Sequence, residues 1–270
     1  MDDEWLVIVD NADDVTRGIK RIMPKRIRGR IVITSRDDHS QKLITLQTFN
    51  MVDAAYWHPT FKQTYFFGGR RYARIKFSPA TNDEMISWSP HKIAEGWPSL
   101  VSIGFGTVDA ILPVENSPDE MFVFHGRNVA QIKVVPETND DSVVGGPWLI
   151  AEKFKALAST GYDTIDAAMP VPKKPGEAYI FRGNNYVRIN VDTHKIVYGP
   201  AKISVEWPAL TAAGFDSVDA ALPVPQDDRG LTYFFRGDKY VKIEVIASAP
   251  DKPNFGPAPI QDHWKSLDWI

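Results

Sequence analysis

A chain of 270 residues with 43% hydrophobic and 24% charged residues has ordinary globular composition, which excludes a disordered, collagenous or coiled-coil protein. Its formal net charge of -3 lacks the cationic surplus of a phosphate-backbone binder, so no nucleic-acid partner is expected. Cysteine is absent, which removes disulfides, thiolate metal sites and cysteine nucleophiles together.

None of the apolar stretches approaches the ~18 residues needed for a membrane-spanning helix, and no membrane partner is expected. The start Met1-Asp2-Asp3-Glu4 is acidic where a signal peptide is basic, so the expectation is a cytoplasmic protein.

In chain order, Glu4-Trp5-Leu6-Val7-Ile8-Val9-Asp10-Asn11-Ala12-Asp13-Asp14 reads as a buried-strand pattern ending in acid, and Arg28-Gly29-Arg30-Ile31-Val32-Ile33-Thr34-Ser35-Arg36 as a second strand ending in Thr-Ser-Arg. Arg17, Lys20, Arg21, Lys25, Arg26, Arg28 and Arg30 form a cationic run flanked by aspartates, a pattern read as a solvated surface. The two strands resemble the Walker B and sensor strands of NB-ARC-type signalling ATPases, in which Asp10 would help hold magnesium. No Gly-x-x-x-x-Gly-Lys-Ser/Thr loop is present to cradle phosphates, so no nucleotide is expected. Residues 1–47 are therefore taken as a remnant or N-terminal extension that packs, because the first strand is too apolar to leave in water.

From residue 48 onward the chain repeats itself four times. A hydrophobic-Asp-Ala motif recurs at Asp53, Asp109, Asp166 and Asp219, with separations of 56, 57 and 53 positions. A Phe-x-Gly motif follows 14 to 16 positions later, at Phe67-Gly68-Gly69, Phe124-His125-Gly126, Phe181-Arg182-Gly183 and Phe235-Arg236-Gly237. A third motif closes each unit: Trp97-Pro98-Ser99-Leu100, Phe154-Lys155-Ala156-Leu157, Trp207-Pro208-Ala209-Leu210 and Trp264-Lys265-Ser266-Leu267.

Each unit predicts a small antiparallel sheet. The Asp-Ala strand comes first, and apolar strands flank the Phe-x-Gly hairpin turn. In the second hairpin strand, alternation is expected to turn Arg188 and Lys242 to solvent. A weaker outer strand and a short helical turn complete the unit. Sheets of about fifty residues that repeat one pattern bury their faces by radial stacking, so an all-β, four-bladed β-propeller is expected. Its blades should span about 48–104, 105–161, 162–214 and 215–270.

The ordered motif set resembles the hemopexin-like repeat, over about residues 48–270. That resemblance implies a propeller with the Asp-Ala strand innermost around a narrow channel. Without cysteine, the chain looks most like cysteine-poor members such as the seed albumin-2 proteins. Closure of the ring must then come from packing, with Trp264 and Trp269 expected against the first blade.

Four aspartates at equivalent positions could ring a hard cation, calcium or sodium. The family resemblance carries that channel role to Asp53, Asp109, Asp166 and Asp219, through the main-chain carbonyls of their strand. The alternative is that these carboxylates cap strand ends or bond neighbouring amides. Where units two to four continue Leu-Pro-Val or Met-Pro-Val, unit one reads Tyr56-Trp57-His58-Pro59. These side chains could recognise an asymmetric ligand, or they could fill a contact with the N-terminal segment. Arg127, Arg182 and Arg236, at the Phe-x-Gly turns, could attract anionic ligands or simply be solvated. No zinc-spaced histidine pair, nucleophile elbow or catalytic constellation is legible.

The favoured function is a small-ligand-binding module for a polyamine, haem or carbohydrate, which leaves room for a homodimer. The alternative is a fungal natural-product enzyme of the cyclase or Diels–Alder-type pericyclase class, working without a cofactor in an apolar pocket.

Overall fold

Apolar and aromatic runs punctuated by Phe-x-Gly turns form antiparallel hairpins, and the strands before those turns are buried on both faces. The computed structural model describes residues 5–10, 29–34, 51–78, 83–135, 138 and 140–270. The chain divides into two compact units, Met1–Phe49 and Asn50–Ile270. In the first, β1 (Trp5–Asp10) pairs in parallel with β2 (Gly29–Thr34). The packing expected of residues 1–47 concerns side chains outside those described.

The second unit is a four-bladed β-propeller. Blade one comprises β3 (Ala54–His58), β4 (Gln63–Gly68), β5 (Arg71–Lys76) and β6 (Met85–Lys92). Blade two comprises β7 (Ala110–Pro113), β8 (Glu120–His125), β9 (Asn128–Val134) and β10 (Asp141–Leu149). Blade three comprises β11 (Ala167–Pro170), β12 (Glu177–Arg182), β13 (Asn185–Asn190) and β14 (Lys195–Lys202). Blade four comprises β15 (Ala220–Pro223), β16 (Leu231–Arg236), β17 (Lys239–Glu244) and β18 (Lys252–Pro259). Each sheet is a meander in sequence order. The first strands β3, β7, β11 and β15 touch their neighbours in a closed ring, which places the Asp-Ala strand innermost.

The apolar core lies between blades rather than at the axis. Four buried clusters each join adjacent blades: one with two, two with three, three with four, and four with one. A sheet with two apolar faces must cover both, and the ring is the arrangement that does so for every blade. The phenylalanines of the Phe-x-Gly motif, Phe67, Phe124, Phe181 and Phe235, are buried at the centre of these clusters.

Two expectations need correction. The outer strands are not weak. They run for eight or nine residues, with register shifts in each, and most of their side chains face solvent. Arg188 is not turned to solvent either. Alternation does place it on one face of the sheet, but that face is covered by blade four. Its guanidinium pairs with Glu177, donates to the carbonyl of Ala247 at 2.5 Å and lies 5.9 Å from the Tyr179 ring centre. Lys242 likewise lies 5.6 Å from the Tyr233 ring centre. Arg188→Ala should destabilise the propeller by about 2 kcal/mol, because it strands Glu177 in a half-buried setting. A urea melt with the midpoint of the native protein would contradict that assignment.

Candidate functional site

The four repeat aspartates do local work. Each accepts a hydrogen bond, at its Oδ2, from the amide of the Phe-x-Gly glycine in its own blade. The distances are 2.5 Å for Asp53–Gly69, 2.6 Å for Asp109–Gly126, 2.6 Å for Asp166–Gly183 and 2.7 Å for Asp219–Gly237. All four glycines are left-handed, with φ between 55° and 60°. A side chain is disfavoured there, which explains the invariant glycine of the repeat. The carboxylate thus pins the hairpin turn to the start of the innermost strand. Among the described residues no three His, Asp or Glu side chains are grouped so as to hold a metal ion. The four carboxylate–amide bonds match the alternative in which these side chains bond neighbouring amides.

Tyr56 and His58 are buried and reach blade two. The Tyr56 hydroxyl donates to the carbonyl of Pro118 at 3.0 Å. His58 Nδ1 accepts from the amide of Phe61 at 3.4 Å, and the two rings lie 4.1 Å apart. That bond assigns the proton to Nε2, which lies 3.5 Å from Asp119 Oδ1 without making a hydrogen bond. Burial pushes His58 down to about 4, and the Asp119 carboxylate opposes the shift. Trp57 is half-buried and packs instead towards the cluster shared by blades four and one. These aromatics serve the junctions between blade one and its two neighbours.

Arg127, Arg182 and Arg236 sit at the other end of the blades, beside the aspartate-pinned turns. Arg182 lies 2.7 Å and Arg127 3.5 Å from Asp163, which brings those two together on one carboxylate. Arg236 pairs with Asp216 at 2.5 Å. Arg182 also donates to the carbonyl of Gly161, and Arg236 to that of Gly214. Both arginines thereby fasten the loop that leads into their own blade.

A large cleft lies elsewhere, between blades two and three, at a junction whose residues depart from those of the other three. Strand register makes the comparison exact to the residue. Lys76 pairs with Met85, Lys133 with Ser142, Asn190 with Lys195 and Glu244 with Lys252, and the residue before each second partner is the one compared. Glu84, Asp141, His194 and Asp251 therefore hold one position in the four blades. In three of them the acid bonds across to the preceding blade, at the amide two residues after its buried tryptophan. The distances are 3.1 Å for Asp141 to Ser99 N, 3.2 Å for Asp251 to Ala209 N and 3.0 Å for Glu84 to Ser266 N. Burial pushes each of these carboxyls upward, and the bonds they accept oppose the shift.

Two tyrosines complete each of those three junctions. Tyr65 and Tyr72 lie 5.5 and 5.8 Å from Trp97, Tyr179 and Tyr186 lie 5.1 and 5.4 Å from Trp207, and Tyr233 and Tyr240 lie 5.3 and 6.1 Å from Trp264. The space left beside Trp97 is only about 10 Å³, about one water. At the remaining junction the same four places are taken by Phe122, Val129, Phe154 and His194. Phe122, Phe154 and His194 line a cleft of about 620 Å³ there, within the range of small-molecule sites, while Val129 is buried and does not line it. Its floor includes Leu112, Phe122, Phe154 and Val171, and its rim Lys153, Lys173, Lys174, Asp192 and His194. Lys153 Nζ is held 5.1 and 4.7 Å from the ring centres of Phe122 and Trp148.

None of the site residues expected from the motifs lines this cleft. The signal was present in Phe154, which stands where the other units have tryptophan. His194 became comparable with three acids only once the strand register was known.

Known proteins share this architecture. The Hemopexin family model matches residues 52–102. Albumin-2 from Pisum sativum is 29% identical over 223 residues, which is 81% of this chain and 95% of that protein. Among solved structures, the hemopexin-fold protein CP4 from cow pea is 30% identical, with a TM-score of 0.74, and the match covers 82% of this chain and 98% of that one. A plant lectin with two metal-binding sites from Cicer arietinum is 27% identical, with a TM-score of 0.74, over 81% of this chain and 97% of that one. These matches give no support to the NB-ARC-like reading of residues 1–47 or to the fungal association drawn from it. With 30% identity along nearly the whole of a hemopexin-fold protein and the same four-bladed ring, this chain belongs to the hemopexin-fold family.

Proposed function

We propose that this protein is a lectin-type binding module whose carbohydrate ligand sits in the cleft between blades two and three. One observation carries the reading: three of four equivalent junctions are bridged by the same tyrosine, tryptophan and acid set, and the fourth lacks that set and borders a cleft of about 620 Å³. A cleft of this size leaves apolar side chains facing water, and a ligand covers them. The apolar floor suits the carbon face of a sugar, and the charged rim offers donors and acceptors for hydroxyl groups. Lys153, Lys173 and Lys174 set the cleft against a polyamine, whose cations they would repel.

Restoring the repeat tests this reading. The triple variant Phe122→Tyr, Val129→Tyr, Phe154→Trp rebuilds the aromatic set of the other junctions and should close the cleft. Calorimetric titration with sugars selected on a glycan array is expected to show binding to the native chain and at least a tenfold loss in the variant. Circular dichroism and the melting temperature check that the variant folds. Undiminished binding in a folded variant would move the site away from this cleft, and silence on the array would remove the carbohydrate.

A further inference from the structure

We propose that the ligand of this cleft carries a carboxylate, which occupies the place of the acidic side chain that closes the other three junctions. The inference rests on the cleft being the binding site and specifies what it binds.

The argument comes from the internal symmetry. Asp141, Asp251 and Glu84 each reach across a junction to a backbone amide of the preceding blade. The matching amide at the open junction belongs to Ala156, and among the described residues no side-chain carboxylate bonds to it. The chain presents the cationic or neutral His194 there instead of an anion. His194 is exposed, left-handed with φ 56°, and lies on the cleft rim.

The charges around it point the same way. Lys153, Lys173 and Lys174 border the cleft, and among the described residues none pairs with a carboxylate. Of the three acids on the lining, Glu177 is paired with Arg188 and Glu115 accepts from the amide of Gly176. Among the described residues Asp192 is the one lining acid without such a tie, and three lysines share the lining with it. In a partly desolvated cleft an incoming carboxylate gains charge-assisted hydrogen bonds, while the apolar floor takes the rest of the molecule. Two sources share this chemistry, a sugar acid and an aliphatic acid.

Titration of the full-length chain with two matched pairs separates them. One pair is galacturonate and galactose, and the other is octanoate and octanol. At least one acid is expected to bind tenfold or more tightly than its neutral twin, with affinity falling as salt is raised. The pair that shows the preference identifies the source. His194→Asp restores the repeat's own acid at a position whose backbone aspartate tolerates. It should weaken the acid at least tenfold and shrink its advantage over the neutral twin. Equal affinity for acid and neutral twin, or an acid unaffected by His194→Asp, would overturn the proposal. In that event a neutral sugar still lost on closing the cleft would leave the binding site standing. Failure of all four probes would overturn the carboxylate, and silence on the glycan array as well would overturn the site with it.

Discussion

Trp264→Ala is expected to lower the stability of the propeller by about 4 kcal/mol, the usual cost of truncating a buried aromatic to alanine. For a domain of this size that corresponds to a fall in melting temperature on the order of 10 °C. Trp264 is buried at 4% exposure and sits where the ring closes. Its indole lies 5.4 Å from Phe66 and 5.0 Å from Phe77, both of blade one, and 5.3 Å from Tyr233 of blade four. The same junction is tied by Glu84, which accepts from the amide of Ser266 at 3.0 Å. A propeller without cysteine has no covalent latch, so non-covalent contacts such as these hold the first and last blades together. Trp269 contributes less. It is half-buried, with Arg71 5.7 Å from its ring centre, and Trp269→Ala should cost about 1 kcal/mol. Calorimetry on the two variants measures both. Equal, small shifts would mean that closure resides elsewhere, in the contact between β15 and β3.

A loss of stability on mild acidification is the second expectation, and it comes from His58. Folding lowers this histidine from 6.5 to about 4 by burying it. Between those two values the unfolded chain binds a proton that the folded chain refuses, so stability falls as the pH drops through that window. Above pH 6.5 the penalty is absent, and below about 4 it is complete, on the order of 3 kcal/mol. Glu84, Asp141 and Asp251 act in the opposite sense. Burial raises them, so each favours the folded state as the pH falls. A comparison isolates the histidine. His58→Val installs the residue that Val114, Val171 and Val224 supply at the matching place in the other blades. Chemical denaturation of both proteins from pH 7 to pH 4 should show a steeper decline for the native chain. Parallel curves would show that His58 does not carry the effect.

The propeller was legible because its determinants are local and repeated. A glycine that must be left-handed, an aspartate at the start of a strand and a tryptophan before a helical turn recur at nearly constant spacing, and each reports on its own blade. The positions of Arg188 and Tyr56 were not legible in the same way. Alternation says which face of a sheet a side chain occupies, but not whether another blade covers that face. Arg188 therefore looked solvated and is half-buried against blade four, and Tyr56 looked available to a ligand and reaches Pro118 of blade two. The same limit applies to the aspartates. Each of the four equivalent acids bonds a glycine amide of its own blade 16 to 18 residues further along, a partner that only the folded hairpin brings to it.

By itself the amino-acid sequence determined the number of blades, their order, the turn at each hairpin and the need for a packed closure in a chain without cysteine. Tertiary structure alone decided where the ring is open. Only strand pairing aligns His194 with Glu84, Asp141 and Asp251, and only radial packing brings it to one cleft with Phe122 and Phe154. Those three residues come from three separate segments of two blades. A void is a property of how surfaces meet rather than of any segment, so no local pattern announces it.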